Sequence, residues 1–206
     1  MSLNLLAIDP SLTCSGWALF SLKAGDLLGV GKVRSLPSGI PLAERLDDLQ
    51  RKISLLFDQI SLCDNDVLIC EAPTTMRDPR AAFKVEQVRG IFETIARERG
   101  LRVPGRLNPR SVQHEVMGLK GKQLPREAVK QNAVLVVERL YSAPLKRIGF
   151  DCNPSNLKRH QDIVDAILVG SLAVARVQTA TISNMQLEEV FAEKLKPRRM
   201  RVNERW

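Results

Sequence analysis

A chain of 206 residues has room for one domain, or for one domain with a short appendage. Its composition, 44% hydrophobic and 26% charged, is that of an ordinary folded protein and excludes wholesale disorder. Lysine and arginine outnumber aspartate and glutamate 31 to 23, and the net charge of +8 points to a polyanionic partner, either nucleic acid or an acidic membrane face.

Taken in chain order, Leu3 to Ile8 is a short apolar run that stops at Asp9-Pro10, and Trp17 to Phe20 is a second. The polar stretch Ser11 to Gly16 between them reads as a tight turn, and Leu27 to Val33 adds a third strand to the meander. From Pro41 the period changes: Leu42, Leu46, Leu49, Ile53, Leu56 and Ile60 recur at helical spacing. Asp66 to Cys70 is apolar on consecutive positions, as in a strand buried on both faces, and ends at Glu71. Asp78-Pro79 is a helix start, and that helix carries Ala82, Val85, Val88, Ile91 and Ile95 inward as far as Gly100.

Further along, Leu101 to Val103 reads as a short strand, and Asn108-Pro109 opens a small helix to about Met117. Gly118 to Lys122 is a basic loop. Pro125 starts a helix through Leu140, and Ser142 to Lys158, with two prolines, reads as a linker or ordered loop. Arg159 to Ala175 is a strong helix, and Met185 to Leu195 a last amphipathic one before a basic end. The order predicts an α/β fold, a mixed central sheet with an antiparallel N-terminal meander and helices on both faces. The division expected is a main domain over 1–176 and a C-terminal helix with basic tail over 177–206.

No apolar run approaches the ~20 residues that span a bilayer, and Met1-Ser2-Leu3-Asn4 lacks the basic start of a secretory signal. Both point to the cytoplasm, with no membrane association. Cys14, Cys63, Cys70 and Cys152 lie far apart and read as buried free thiols.

Carboxylates break this apolar pattern at four places. Asp9 ends the first strand and Glu71 the buried one, while Asp162 and Asp165, three apart, share one face of a helix otherwise filled by Ile163, Val164, Ala166 and Ile167. If the first and fourth strands are neighbours, Asp9 and Glu71 emerge side by side, and the helix need only pack there to complete a cluster. Four such groups repel one another unless cations lie between them, and Mg²⁺ or Mn²⁺ suits an all-oxygen donor set. Paired divalent ions are the chemistry of in-line phosphodiester cleavage.

These residues resemble a known family. Leu6 to Ser11 with Thr13, Gly16 and Trp17-Ala18 is similar to the opening motif of RuvC-type Holliday junction resolvases, of the ribonuclease H-like superfamily. Val67 to Glu71, the spacing to Arg89-Gly90, Asn108 to Val112, and Asp162-Ile163-Val164-Asp165-Ala166 resemble its later motifs. Gln113 and Thr74 depart from it, standing where that family often has a lysine and an aromatic wedge.

The resemblance implies a ribonuclease H-like fold, a homodimer, and Mg²⁺-dependent paired nicking of four-way or branched DNA in recombination or repair, with Mn²⁺ as a substitute and no nucleotide cofactor. It makes Asp9, Glu71, Asp162 and Asp165 the metal ligands, with Lys122 or Arg126 at the scissile phosphate and Lys120 a rival for that position. Asp9 is expected to bridge two ions, and Glu71 with one of Asp162 and Asp165 to hold the ion that activates water. Arg77, Arg80, Lys84, Arg89, Lys120, Lys122 and Arg126 are candidate DNA contacts.

The compartment implied is a bacterial or phage-infected cytoplasm, near the nucleoid. An ATP-using phosphotransferase begins similarly but needs two such domains, for which 206 residues are too few. A nuclease for other branched DNA and an inactive junction binder remain as alternatives.

Overall fold

The computed structural model describes residues 3–73, 78–121 and 124–192. Strands β1 (Asn4–Asp9), β2 (Cys14–Ser21) and β3 (Leu27–Arg34) form the antiparallel meander. β4 (Val67–Glu71) lies parallel to β1, and β5 (Arg106–Leu107) parallel to β4, giving one sheet in the order β3-β2-β1-β4-β5. The helices are α1 (Leu42–Gln59), α2 (Pro79–Glu98), α3 (Pro109–Glu115), α4 (Arg126–Arg147), α5 (Pro154–Arg159), α6 (Gln161–Ile182) and α7 (Leu187–Phe191). This is the mixed α/β architecture expected, an antiparallel meander extended by parallel strands with helices on both faces.

Strand alternation sorts the core into two layers. Leu6 and Ile8 of β1 with Leu68 and Cys70 of β4 face α1 and α2, where they meet Leu49, Ile53, Val88 and Phe92. Leu5 and Ala7 with Val67 and Ile69 face α6, itself backed by Ala133, Val134 and Val137 of α4. That alternation decides the site. Asp9 and Glu71 continue the odd-numbered rows, so both carboxylates project on the α6 side of the sheet.

Two glycines let α6 lie close on that side. A Cβ at Gly170 would stand 2.2 Å from the Phe20 ring, and one at Gly16 only 1.8 Å from the backbone carbonyl oxygen of Asp162. Any side chain at Gly16 would push the start of α6, with its aspartates, off the sheet.

Several sequence expectations are corrected. The strand expected at Leu101–Val103 is a single bridge from Arg102 to Val67, because Pro104 has no N–H to continue the ladder, and pairing resumes only at Arg106. The loop expected over Ser142–Lys158 is helix for much of its length: α4 runs on to Arg147 through Pro144, and α5 follows. Burial of Leu145 and the edge-on contact of Tyr141 with Phe20, centroids 6.0 Å apart, hold that last turn. Leu140, whose carbonyl Pro144 leaves without an intrahelical donor, is 52% exposed and open to water.

β2 begins at Cys14, so Ser15 and Gly16 are strand rather than turn. Cys63 is exposed and Cys14 partly so; only Cys70 and Cys152 are buried, and all four thiols are free. α6 runs unbroken through position 176, and at 22 residues it is long and apolar enough to cross a membrane, contrary to the expectation that no run is. Its packing between the sheet and α4 accounts for that composition. Leu187 and Phe191 of α7 join the same core; the expected continuation to Leu195 and the basic tail lie outside the described residues.

Candidate active site

Across four strands, on the α6 side, runs one row of residues. Glu71 lies one step beyond the Ile8–Cys70 pair and so beside Asp9; Asp9 pairs with Gly16, and Gly16 with Lys32. Over this row sits the first turn of α6, presenting Asp162 and Asp165. Asp9, Glu71, Asp162 and Asp165 together line one cleft of about 340 Å³, with Gln161, Arg89, Arg126 and Lys130 also in its wall. Side chains from residues 9, 71 and 162–165 thus converge as the sequence leads one to expect.

The electrostatics follow from crowding carboxyls in a poorly hydrated cleft. Burial first, then the charges of Glu71, Asp165 and Asp162, push the Asp9 carboxyl well above its ordinary range. Glu71 is raised to about 7 by burial and by Asp165, against the pull of the Arg89 cation. Asp165 is raised to about 6, again mainly by burial, although Gln161 hydrogen-bonds it and Lys130 and Arg126 stand near.

This makes an expected result. The ordinary values for Glu71 and Asp165 are 4.5 and 3.8, so between these and about 7 and about 6 the folded chain binds more protons than the unfolded one. Stability in chelator therefore falls as pH rises through that window, on the order of 3 kcal/mol from Glu71 alone, and levels off above it. Melting at pH 5 and pH 8 measures the slope; it should flatten in Glu71→Gln, and an unchanged slope there would refute the assignment.

The donor chemistry fits a hard divalent ion: four carboxylates with no soft ligand among them, whose mutual repulsion a cation would relieve. Among the described residues, no group of three or more His, Cys, Asp and Glu side chains is drawn tightly enough to hold an ion as it stands. Each carboxyl is engaged by a neighbour instead. Asp9 lies against Glu71, which raises it, Gln161 Nε2 donates to Asp165 at 2.9 Å, and Lys32 Nζ donates to Asp162 at 2.8 Å.

The basic candidates divide. Arg126 lines the cleft, and Lys130, missed at the level of sequence, lies one helical turn further along α4 on the same wall. Their four-residue spacing was the available signal. Lys120 is exposed and is not among the lining residues; Lys122, Arg77 and Thr74 lie outside the described residues. Arg80 and Lys84 are exposed on α2, as a phosphate-tracking stripe requires.

Arg89 does not belong to that stripe. It is 1% exposed, its Nε donates to the Glu71 carbonyl oxygen at 2.8 Å, and it pairs with Glu86. Arg106 closes the network through Glu86 at 3.3 Å and through Glu93, which it grips with two nitrogens at 2.7 and 3.0 Å. The Arg89 guanidinium is a buried support behind Glu71, pinned by Glu86 of its own helix. Gln113, one of the departures from the family pattern, accepts a hydrogen bond from Arg110 at 3.3 Å.

Comparison with known proteins bears out the resemblance read from the sequence. The crossover junction endodeoxyribonucleases RuvC of Parvibaculum lavamentivorans and Erythrobacter litoralis are each 29% identical, over 120 and 101 residues, or 57% and 48% of this chain. Those stretches span 66% and 60% of the two relatives, just under two thirds of their length. No family model matches the chain. Among solved structures, Thermus thermophilus RuvC in complex with a Holliday junction substrate superposes with a TM-score of 0.62 at 18% identity, covering 87% of this chain and 97% of that one. The fowlpox virus Holliday junction resolvase gives 0.54 at 11% identity, covering 85% and 99%. The fold is theirs.

Proposed function

From the premise that this chain is RuvC-like in sequence and fold, we propose that it is a divalent-metal-dependent endonuclease that resolves Holliday junctions by paired symmetric nicks in recombination or repair. The observation that carries the proposal is the cleft itself, with four carboxylates from three distant stretches beside two cations of α4. The nuclease unit expected over 1–176 extends further in this reading, because α6 continues unbroken past that point and Leu187 and Phe191 of α7 share its core. Its place is the cytoplasm, at the nucleoid.

Asp9, Glu71, Asp162 and Asp165 would hold Mg²⁺, for which Mn²⁺ substitutes. Bound there, the ions supply a low-pKa water and charge neutralisation at the leaving oxygen. The protein's own residues do the rest. Asp9 sits on the central strand, where the backbone is held by neighbours on both sides, and would be the most firmly positioned of the four ligands. Arg126 and Lys130 on one wall would orient the scissile phosphate and offset its charge, with Lys120 and Lys122, just before α4 in sequence, as further candidates for that contact. Arg80, Lys84 and Arg77 would follow the backbone further out, with a steep dependence on salt.

A four-way junction has near two-fold symmetry, so paired nicks ask for a C2 dimer. Phe83, 72% exposed on α2, supports that helix as the seam.

The test is end-labelled four-way junction, fork, flap and linear duplex, each with Mg²⁺ and with chelator. Symmetric nicks confined to the junction and requiring metal are expected. Equal cutting of fork or flap would replace the substrate, and binding without cutting would reduce the chain to a junction binder.

A further inference from the structure

Lys32 is a strand residue in a place where lysine is expensive. Its side chain is 11% exposed, and its ammonium is held by the Asp162 carboxylate at 2.8 Å. An ammonium so far out of water persists only when it is paired. The pairing is built by the fold: Lys32 stands across Gly16 from Asp9, and the absent side chain at Gly16 lets the first turn of α6 down between them. Asp162 is thereby satisfied at the edge of the cleft.

We infer that Lys32 is a built-in counter-ion that competes with divalent metal for Asp162 and so sets the metal concentration at which the cleft fills. The inference rests on the metal-site reading above. Filling the cleft requires Asp162 to exchange an internal cation for an external one. Lys32 has somewhere to go, since it also lines a second, open groove of about 630 Å³ bounded by Trp17, Arg34, Lys52 and His160. Asp165 carries no such lock, its partner Gln161 being neutral. The two aspartates of the pair therefore differ: one is available to metal at once, and the other only at the cost of an ion pair.

The experiment is a Mn²⁺ titration followed by the electron paramagnetic resonance of the free ion, on the full chain without DNA. Wild type, Lys32→Met, Lys32→Arg and Asp162→Asn are compared. Lys32→Met should bind Mn²⁺ about fivefold more tightly than wild type, the increment of one partly exposed ion pair. Lys32→Arg restores the competing charge and should return affinity to within about twofold of wild type. Asp162→Asn should lose one ion or weaken its binding.

Equal or weaker binding by Lys32→Met, with wild type binding normally, overturns the inference and leaves the metal site standing. Absence of Mn²⁺ binding in every form overturns the metal site and the inference with it. A second measurement needs no variant. The ammonium resonance of Lys32, protected in the Asp162 pair, should vanish when wild type is saturated with Mg²⁺, and its persistence also overturns the proposal.

Discussion

Asp9→Asn is expected to lower nicking of a four-way junction by roughly 10³-fold or more, while junction binding persists and the metal-free protein melts at a higher temperature. The first effect follows from position. Asp9 lies beside Glu71 on one neighbouring strand and Gly16 on the other, with the first turn of α6 above, and it feels the charge of all three other carboxylates. Binding should survive because the exposed cations of α2 and those of α4 are untouched.

The rise in melting temperature follows from charge. Burial and three like charges already drive Asp9 toward its neutral form, and a neutral amide removes the conflict at no change in size. A gain of about 1–2 kcal/mol is in keeping with the stability commonly recovered when a site strained for function is relaxed. Loss of nicking with lower stability would mean that the substitution disrupts packing rather than chemistry. Unchanged nicking would end the proposed mechanism.

The second large effect is expected at Arg89. Arg89→Met should cost about 3 kcal/mol of folding stability, read from urea or thermal unfolding, because breaking a buried ion pair leaves its partner's charge behind. The figure sits at the low end for such pairs, since Glu86 keeps Arg106 at 3.3 Å. A structural change alone would stop there. The guanidinium also holds Glu71 below where burial would put it, so its loss should raise Glu71 above about 7 in the metal-free chain. Carboxyl NMR titration of the variant measures that shift. Arg89→Lys keeps the charge but not the fork that reaches both the Glu71 carbonyl and Glu86, and should recover only the titration. A methionine variant as stable as its parent would show the buried network to be dispensable.

Arg89 also illustrates how far a sequence can be read. Grouping it with Arg80 and Lys84 rests on shared helix and shared sign alone: nine residues past Arg80 it stands on the opposite face, but a cation on a helix defaults to the solvent side. It is inside because Glu86 of its own helix balances it and the Glu71 carbonyl accepts from it, while Arg106 of β5 ties Glu86 to Glu93. Nothing local announces that, since β5 itself is two residues long and separated from the expected strand by Pro104. Lys32 escaped notice for the same reason: a lysine in a meander strand looks solvated until Gly16 and the first turn of α6 close over it. In α4 the reverse occurred, where Pro144 signals a stop that buried Leu145 overrides.

What the amino-acid order settled alone was local. Alternation and period assigned most strands and helices, and four carboxylates stood out because each interrupts an apolar pattern where burial makes ionisation costly. Their meeting in one cleft depends on β1 and β4 being parallel neighbours, with the odd-numbered side chains turned toward α6. Which cations attend them was decided only by packing. Coulomb interaction depends on distance and on the exclusion of water, and both are properties of the folded chain rather than of spacing along it.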